Sequence, residues 1–293
     1  MIGHILKGYR ILEKIKEGSV GTVWKALNNR NQEFALKQLS EKNARRADKR
    51  RQFEREATLT RKLVHPGIVR VYEYVDDVPQ PFFTMEYFPS ENLKYSMWHL
   101  ADRVQKYEFY ILRQVAEALA YTHHLNITHR DVKPENVLVS PESEVRLIDF
   151  SLAQSRWGRF FQFGRRVEGT PLYMAPEQIQ GRRCDARSDI YSFGVMMYEL
   201  LTKRPPFLGT TEKALLEKHV KEPPPSMRTF VKTISPEIDA LCARMLAKKP
   251  EDRFPDMTSI IYELNRWERK DTIVRLRQVE PARPRDGGTT AIH

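Results

Sequence analysis

The chain has 293 residues, of which 41% are hydrophobic and 30% are charged, a composition typical of a globular protein with one large domain or two coupled lobes. No apolar run approaches the roughly 20 residues of a membrane-spanning helix, and the first ten residues lack the apolar core of a secretion signal. Only Cys184 and Cys242 are present, too few for a disulfide framework and typical of a reducing compartment. We therefore predict a cytoplasmic protein with no membrane span in this chain.

The net charge of +11 raises the alternative of a nucleic-acid-binding protein. Basic residues concentrate in 42–62, in 156–183 and in the tail around 275–285. The first cluster lies on a helical pattern whose apolar face includes Phe53 and Ala57, so a solvated helix face accounts for its charge. Because no recognition motif accompanies the charge, we do not expect a nucleic-acid partner.

The first 80 or so residues alternate in polarity as strands do, with one helix inserted. Strands are predicted at 9–15, 20–27, 32–39, 67–74 and 81–87, and the helix at 48–63. From residue 93 onward helical periods dominate, with buried helices predicted at 106–123 and 190–201. The pattern indicates a small β-rich lobe, then a larger helical lobe, with a cleft between them as a common place for a ligand.

A turn with two glycines joins the first two long strands, and a lysine follows on the next strand. Gly18 and Gly21 would let the backbone pass close to phosphates and offer N–H donors, although a plain β-turn explains them equally well. Lys37 alternates with apolar neighbours and is predicted to point into the cleft, where a lysine needs an anionic partner. Glu56 is the candidate partner, and a surface lysine is the alternative.

The strongest signal is the loop His129-Arg130-Asp131-Val132-Lys133-Pro134-Glu135-Asn136. Asp131 could orient a hydroxyl, Lys133 could neutralise a migrating phosphoryl group and Asn136 could hold a metal ion. Asp149 ends a later apolar strand, and a carboxylate and an amide that converge supply the oxygen ligands that Mg²⁺ prefers. Together these residue types favour phosphoryl transfer.

These motifs resemble the signature set of protein kinases, in the family's order and over residues 9–266. The matches are the glycine turn, Lys37, Glu56, His65-Pro66, the hinge-like Met85-Glu86-Tyr87, the His-Arg-Asp run, Asn136, Asp149, Ala175-Pro176-Glu177, Asp189 and Arg253. Lys133 and the run 169–174 are similar to serine/threonine rather than tyrosine kinases, and the runs 173–178 and 185–194 resemble the eukaryotic-type (Hanks-type) kinases of bacteria.

The resemblance implies an α+β, two-lobed protein-kinase-like fold, with a small β-rich N-lobe carrying one key helix and a larger, mostly helical C-lobe. The implied boundaries are an N-lobe at about 9–87, a hinge at about 86–91 and a C-lobe at about 92–266. Residues 267–293 are predicted to form a basic, disordered tail, because Pro281, Pro284, Gly287 and Gly288 interrupt any pattern there.

The implied activity is that of an ATP-dependent serine/threonine protein kinase in signalling, with ATP and Mg²⁺ (or Mn²⁺) as cofactors and proteins with Ser or Thr acceptors as substrates. The implied catalytic residues are Asp131, Lys133, Lys37 and Thr170. The implied ATP-binding residues are Ile15, Gly18, Gly21, Val23, Ala35, Lys37, Glu56, Met85, Glu86, Phe88 and Leu138. The implied metal ligands are Asn136 and Asp149. The implied structural or regulatory residues are Arg130, Glu168, Asp189 and the ion pair of Glu177 with Arg253.

Besides Val20, which stands where an aromatic residue is common, three residues depart from the family's pattern. Lys16 stands where the first loop glycine is usual, Ser151 replaces the glycine after Asp149-Phe150, and Thr60 stands where an apolar residue of the internal spine is usual. We expect Ser151 to restrict the backbone and Thr60 to weaken the active position of its helix. These departures support a pseudokinase, a binding scaffold of the same fold, as the second interpretation. None of them removes a phosphate or metal ligand, which favours the enzyme.

The stretch 156–168 contains no serine, threonine or tyrosine, so it offers no site for the activating phosphate that Arg130 would hold. Glu168 is the only acid in that stretch, and we expect it to act as a permanent counter-charge for Arg130. Four aromatic residues in the same stretch are expected either to order the segment by packing or to form a docking patch for a partner at Trp157–Phe163. They are Trp157, Phe160, Phe161 and Phe163.

We predict that protein kept free of phosphate is active at once and that Glu168→Ala lowers this initial activity, because the counter-charge for Arg130 is lost. Initial rates, measured with protein held under phosphatase until the assay, check this. Activity that appears only after Ser155 or another hydroxyl of the segment is phosphorylated would contradict the prediction.

Overall fold

The computed structural model describes residues 2–155 and 169–267 and divides them into a β-rich lobe and a helical lobe, which confirms the predicted fold class. The N-lobe sheet is antiparallel and has six strands: β1 Ile5–Leu6, β2 Tyr9–Glu17, β3 Gly21–Leu27, β4 Glu33–Leu39, β5 Val71–Val75 and β6 Phe82–Glu86. Their order in the sheet is β1-β2-β3-β4-β6-β5. Apolar side chains alternate along them, so Phe82 and Phe83 enter two different clusters on opposite faces of the sheet.

Two helices connect β4 to β5. The first, α1, is Glu41–Ala44, and the second, α2, is Ala47–Arg61. Helix α2 buries Phe53, Glu56, Ala57 and Thr60 against the sheet, while Arg51 and Arg55 on its other side are exposed. The basic cluster of this region therefore includes a solvated helix face.

The C-lobe is mainly helical and packs around one large apolar cluster. Its helices are α3 Leu93–His99, α4 Ala101–His124, α5 Pro176–Ile179, α6 Ala186–Thr202, α7 Glu212–Lys221, α8 Pro236–Met245 and α9 at 257–267. Its strands are β7 Glu91–Asn92, β8 Ile127–Thr128, β9 Val137–Val139, β10 Val145–Leu147 and β11 Gln154–Ser155. Strands β10, β9 and β7 form one small sheet, and β11 pairs with β8.

Helix α4 begins five residues before the predicted 106–123, and a kink in the helix explains the difference. Tyr107 has φ −120° and ψ 17° inside the helix, so the apolar period that marks the helix restarts there. The strand predicted at 67–74 is also corrected, since it is confined to β5 at Val71–Val75. In the part of the chain that the structure describes, no helix is both long and apolar enough to cross a membrane.

A histidine of α7 is buried beside a lysine in the C-lobe. His219 has no exposed surface, and its Nδ1 lies 3.0 Å from the Tyr191 hydroxyl. The Lys248 ammonium donates a hydrogen bond of 2.9 Å to the His219 carbonyl oxygen. Burial, reinforced by the positive charge of Lys248, lowers the pKa of His219 from 6.5 to about 3. The folded protein therefore holds this imidazole neutral.

We predict that the free energy of unfolding decreases as the pH falls from about 6.5 toward 3, because the unfolded chain binds a proton at His219 that the folded chain does not. This group alone contributes a slope of up to about 1.4 kcal/mol per pH unit. Urea unfolding at a series of pH values checks it, with His219→Gln as the test and the exposed His124→Gln as the matched control. An equal slope in wild type and His219→Gln would contradict the prediction.

Candidate active site

Strand β4 and helix α2 bring Lys37 and Glu56 together between the lobes. Lys37 lies opposite Val23 of β3 and Phe83 of β6, and its Nζ lies 2.6 Å from Glu56 Oε1. The same Nζ lies 3.7 Å from Asp149 Oδ1 of the C-lobe. Burial disfavours the charged lysine, but the two carboxylates outweigh it and raise the pKa of Lys37. The lysine is therefore a fixed cation held between two acids.

Three side chains, from the loop after β8 and from the segment after residue 168, meet around Asp131. Lys133 Nζ lies 2.6 Å from Asp131 Oδ2 and 2.5 Å from Thr170 Oγ1. Thr170 donates to Asp131 Oδ1 at 3.1 Å. Asn136 Nδ2 donates to Asp131 Oδ2 at 3.0 Å and to the Asp131 carbonyl at 2.9 Å. With three donors around it, the Asp131 carboxylate has a fixed orientation.

Asp149 lies beside this group and is ionised. Its backbone is left-handed, with φ 65°, and its side chain is about one-third exposed. Although burial opposes the charge, Lys37 and a hydrogen bond from Ser151 lower the pKa of Asp149 to about 2.

The donor set at Asn136 and Asp149 fits Mg²⁺. The Asn136 amide nitrogen is bound to Asp131, so its amide oxygen is the atom left for a cation, and Asp149 supplies a carboxylate. Magnesium commonly takes one or two protein oxygens and completes its shell with phosphate and water, so this small set is sufficient.

Asp189 of α6 fixes the backbone of the loop at 129–136. Its carboxylate is fully buried and accepts hydrogen bonds of 2.8 Å from the backbone N–H groups of His129 and Arg130. His123 Nε2 also lies 2.8 Å from it. Arg130 has φ 68°, a left-handed conformation that costs a non-glycine residue about 1–2 kcal/mol. The contacts to Asp189 stabilise this conformation, so Asp189 has a structural role in the loop.

The expectation that Thr60 weakens the helix position has no support in the geometry. The Thr60 hydroxyl is buried and donates to the Glu56 carbonyl at 2.8 Å, so its burial leaves no unmade hydrogen bond. Phe150 is buried against His129, with ring centroids 4.6 Å apart. Helix α2 keeps its Glu56–Lys37 pair in this arrangement.

Ser151 is not strained in this conformation. The positive φ of this segment falls on Asp149, whereas Ser151 has none, so residue 151 does not need to be a glycine in this conformation. The Ser151 N–H also lies 3.4 Å from Asp149 Oδ1, where it favours the ionised carboxylate.

The glycine turn between β2 and β3 is tight. Gly18 N–H donates to the Gly21 carbonyl at 2.9 Å. A Cβ at Gly21 would lie 1.9 Å from the Gln38 carbonyl oxygen, whereas a Cβ at Gly18 would meet nothing closer than 3.9 Å. The two glycines therefore differ, since only Gly21 is required by strand packing. Lys16 and Ile15 are both exposed beside this turn.

Several of the implied ATP-binding residues lie at the strand ends near the hinge. Ala35 is buried and faces Met85 across β4 and β6, while Val23 and Leu138 are half-buried. The Glu86 N–H already donates to the Arg70 carbonyl at 2.9 Å. At the two implied positions Glu86 and Phe88 we therefore expect the Glu86 carbonyl and the Phe88 N–H, rather than the Glu86 N–H, to contact ATP.

Two further predicted residues form a structural ion pair. Arg253 Nη1 and Nη2 lie 2.8 and 2.9 Å from the two carboxylate oxygens of the buried Glu177. This bidentate pair fixes α5 to the end of the C-lobe. Glu168 and the aromatic run Trp157–Phe163 lie outside the described residues, as do 268–293 of the predicted tail.

Sequence reasoning missed several contacts around the cleft. Arg146 of β10 pairs with Glu86 Oε1 at 2.7 Å and places its guanidinium 4.4 Å from the Phe88 ring centroid. Lys94 of α3 pairs with the buried Glu199, which also accepts from the Tyr173 hydroxyl at 2.6 Å. For Lys94 the available signal was Glu199 in the apolar second half of α6, because a buried carboxylate needs a partner.

A buried lysine–glutamate pair, an ionised aspartate beside it and an aspartate with a fixed orientation on a neighbouring loop form an arrangement typical of phosphotransferase sites. The family model "Protein kinase domain" matches residues 9–262. The chain therefore belongs to the protein kinase family.

Similar proteins come from several bacteria. A probable serine/threonine-protein kinase of Streptomyces coelicolor is 34% identical over 84% of this chain and 38% of its own length. The serine/threonine-protein kinase PknB of Mycolicibacterium smegmatis is 34% identical over 86% of this chain and 41% of its own. A probable serine/threonine-protein kinase of Clostridium acetobutylicum is 31% identical over 90% and 41%. The chain thus spans about two fifths of the length of these curated relatives, and the predicted resemblance to bacterial Hanks-type kinases is confirmed.

We predict that Gly21→Ala and Gly18→Ala differ in their effect on thermal stability. Gly21→Ala should lower Tm by several degrees, because its Cβ forces β3 away from the Gln38 carbonyl. Gly18→Ala, the matched control, should keep Tm within about two degrees, since its Cβ enters open space. Thermal unfolding by circular dichroism checks both. Equal Tm values for the two variants would contradict the prediction.

Proposed function

We propose that this chain is an active, ATP-dependent serine/threonine protein kinase, which transfers the γ-phosphoryl group of ATP to serine or threonine hydroxyls of proteins. The observation that carries the proposal is the Lys37–Glu56 pair formed beside an ionised Asp149. This pairing is the arrangement that a kinase needs in place before transfer.

Each residue contributes positioning or charge rather than covalent chemistry. Lys37 neutralises phosphate oxygens while Glu56 holds its ammonium in place. Asp131 accepts the hydrogen bond of the acceptor hydroxyl, with its own orientation fixed by Thr170 and Asn136. Lys133, 2.6 Å from Asp131, supplies positive charge near the group in transfer. Magnesium held by Asn136 and Asp149 would neutralise the triphosphate charge.

The names of the relatives support the serine/threonine class, and the Lys133–Thr170 contact next to Asp131 agrees with it. Protein substrates, a signalling role and a docking partner at Trp157–Phe163 remain proposals. The free thiols of Cys184 and Cys242 support the proposed cytoplasmic location. Of the three departures that favour the pseudokinase alternative, Thr60 satisfies its hydroxyl on the Glu56 carbonyl and the Ser151 N–H lies against Asp149, which supports the enzyme over the scaffold.

We predict that Asp131→Asn and Asp149→Asn each reduce phosphoryl transfer on the order of 100-fold or more. The first variant removes the carboxylate that orients the hydroxyl, and the second removes a charged metal ligand. The assay follows radiolabelled γ-phosphate from ATP into a generic basic protein. Asp77→Asn, an exposed acid of the N-lobe, is the matched control and should keep wild-type turnover. Near-normal turnover in a folded Asp131→Asn or Asp149→Asn protein would contradict the proposed function.

A further inference from the structure

Asn43 of the short helix α1 lies beneath the glycine turn. The side chain is buried, and its Nδ2 donates to the Ser19 carbonyl at 2.8 Å and to the Val20 carbonyl at 3.0 Å. The two acceptors use both hydrogens of the amide, which also fixes which amide atom is the nitrogen. Nothing in the protein kinase signature set or in the sequence pattern assigns a role to this residue.

The turn has few other contacts that hold it. The Ser40 N–H donates to the Val20 carbonyl at 3.0 Å, and the Gly18 N–H closes the turn on the Gly21 carbonyl. The side chain of Val20 at the tip is exposed, so apolar packing does not fix the turn. Among the described residues, Asn43 is thus the side chain that donates hydrogen bonds to the tip.

The two hydrogen bonds from Asn43 affect the direction of the N–H groups that could bind phosphate. In a trans peptide the N–H group points opposite to the C=O group of the same peptide plane. Because the Ser19 and Val20 carbonyls are turned toward Asn43, the N–H groups of Val20 and Gly21 are turned away from it. Two successive N–H groups held in one direction form the kind of backbone site that binds anions.

We propose that Asn43 is a positioning residue for the nucleotide phosphates: its amide fixes the two carbonyls at the tip of the glycine turn and so orients the Val20 and Gly21 N–H groups as phosphate donors. This inference rests on the proposed function, since it needs ATP as the ligand of the cleft. Asn43 itself touches no phosphate and acts only through the turn.

The test compares the binding of ATP with that of adenosine, because only ATP carries the phosphates that the turn would contact. Asn43→Asp removes both donors and brings a negative charge to two carbonyls, and Asn43→Leu removes the donors without adding charge. Both should weaken ATP about tenfold, which corresponds to about 1.4 kcal/mol, and change adenosine binding less than about twofold. Calorimetric titration of the whole chain with Mg²⁺ and a non-hydrolysable ATP analogue, then with adenosine, measures this.

Asn28→Leu is the matched control. Asn28 also fixes a turn of the N-lobe, where its Oδ1 accepts from the Arg30 and Gln32 N–H groups, but that turn lies at the other end of β3. It should lower Tm without changing the ratio of the two affinities. Equal losses of ATP and adenosine in the Asn43 variants, or unchanged ATP binding, would overturn the inference. A wild-type protein that binds ATP without transferring phosphate would contradict the proposed function alone.

Discussion

The buried carboxylate of Asp189 is the constraint on which the site depends. It accepts the backbone N–H groups of His129 and Arg130, and these contacts hold Arg130 at φ 68°. Hydrogen bonds to a charged group are worth about 1.5–3 kcal/mol each, so two of them exceed the cost of a left-handed non-glycine residue. Without these hydrogen bonds to Asp189, Arg130 would leave its left-handed conformation and the position of Asp131 would change.

A second set of contacts connects the lobes across the cleft. Lys37 of the N-lobe lies between Glu56 and Asp149, so its charge ties α2 and the sheet to the end of the apolar strand that precedes Asp149. At the back of the cleft, Arg146 of the C-lobe pairs with Glu86 at the hinge. The first contact would be exposed to competition from phosphate, whereas the second involves no predicted phosphate group. We infer that the Arg146–Glu86 pair maintains the contact between the lobes when Lys37 binds the nucleotide phosphates.

Contacts between residues of a specific motif could be predicted from the sequence. Contacts that depend on tertiary structure alone could not. Lys37, Glu56, Asp131 and Asp149 were identifiable because their residue types and spacing belong to one chemistry. Asn43, Arg146 and Lys94 pair with positions 24, 60 and 105 residues away, and no local pattern marks such partners. Helix α1 was missed because four residues are too few to show a helical period.

Two of the departures from the family's pattern are accommodated by the local geometry. Thr60 places a hydroxyl in the core, and the Glu56 carbonyl accepts its hydrogen. Ser151 occupies a position without positive φ and directs its N–H toward Asp149. Lys16 removes a glycine near a turn whose tip the Asn43 amide holds from the other side. Thr60 therefore satisfies its hydroxyl locally and Ser151 needs no positive φ, so neither departure displaces the charged groups of the cleft.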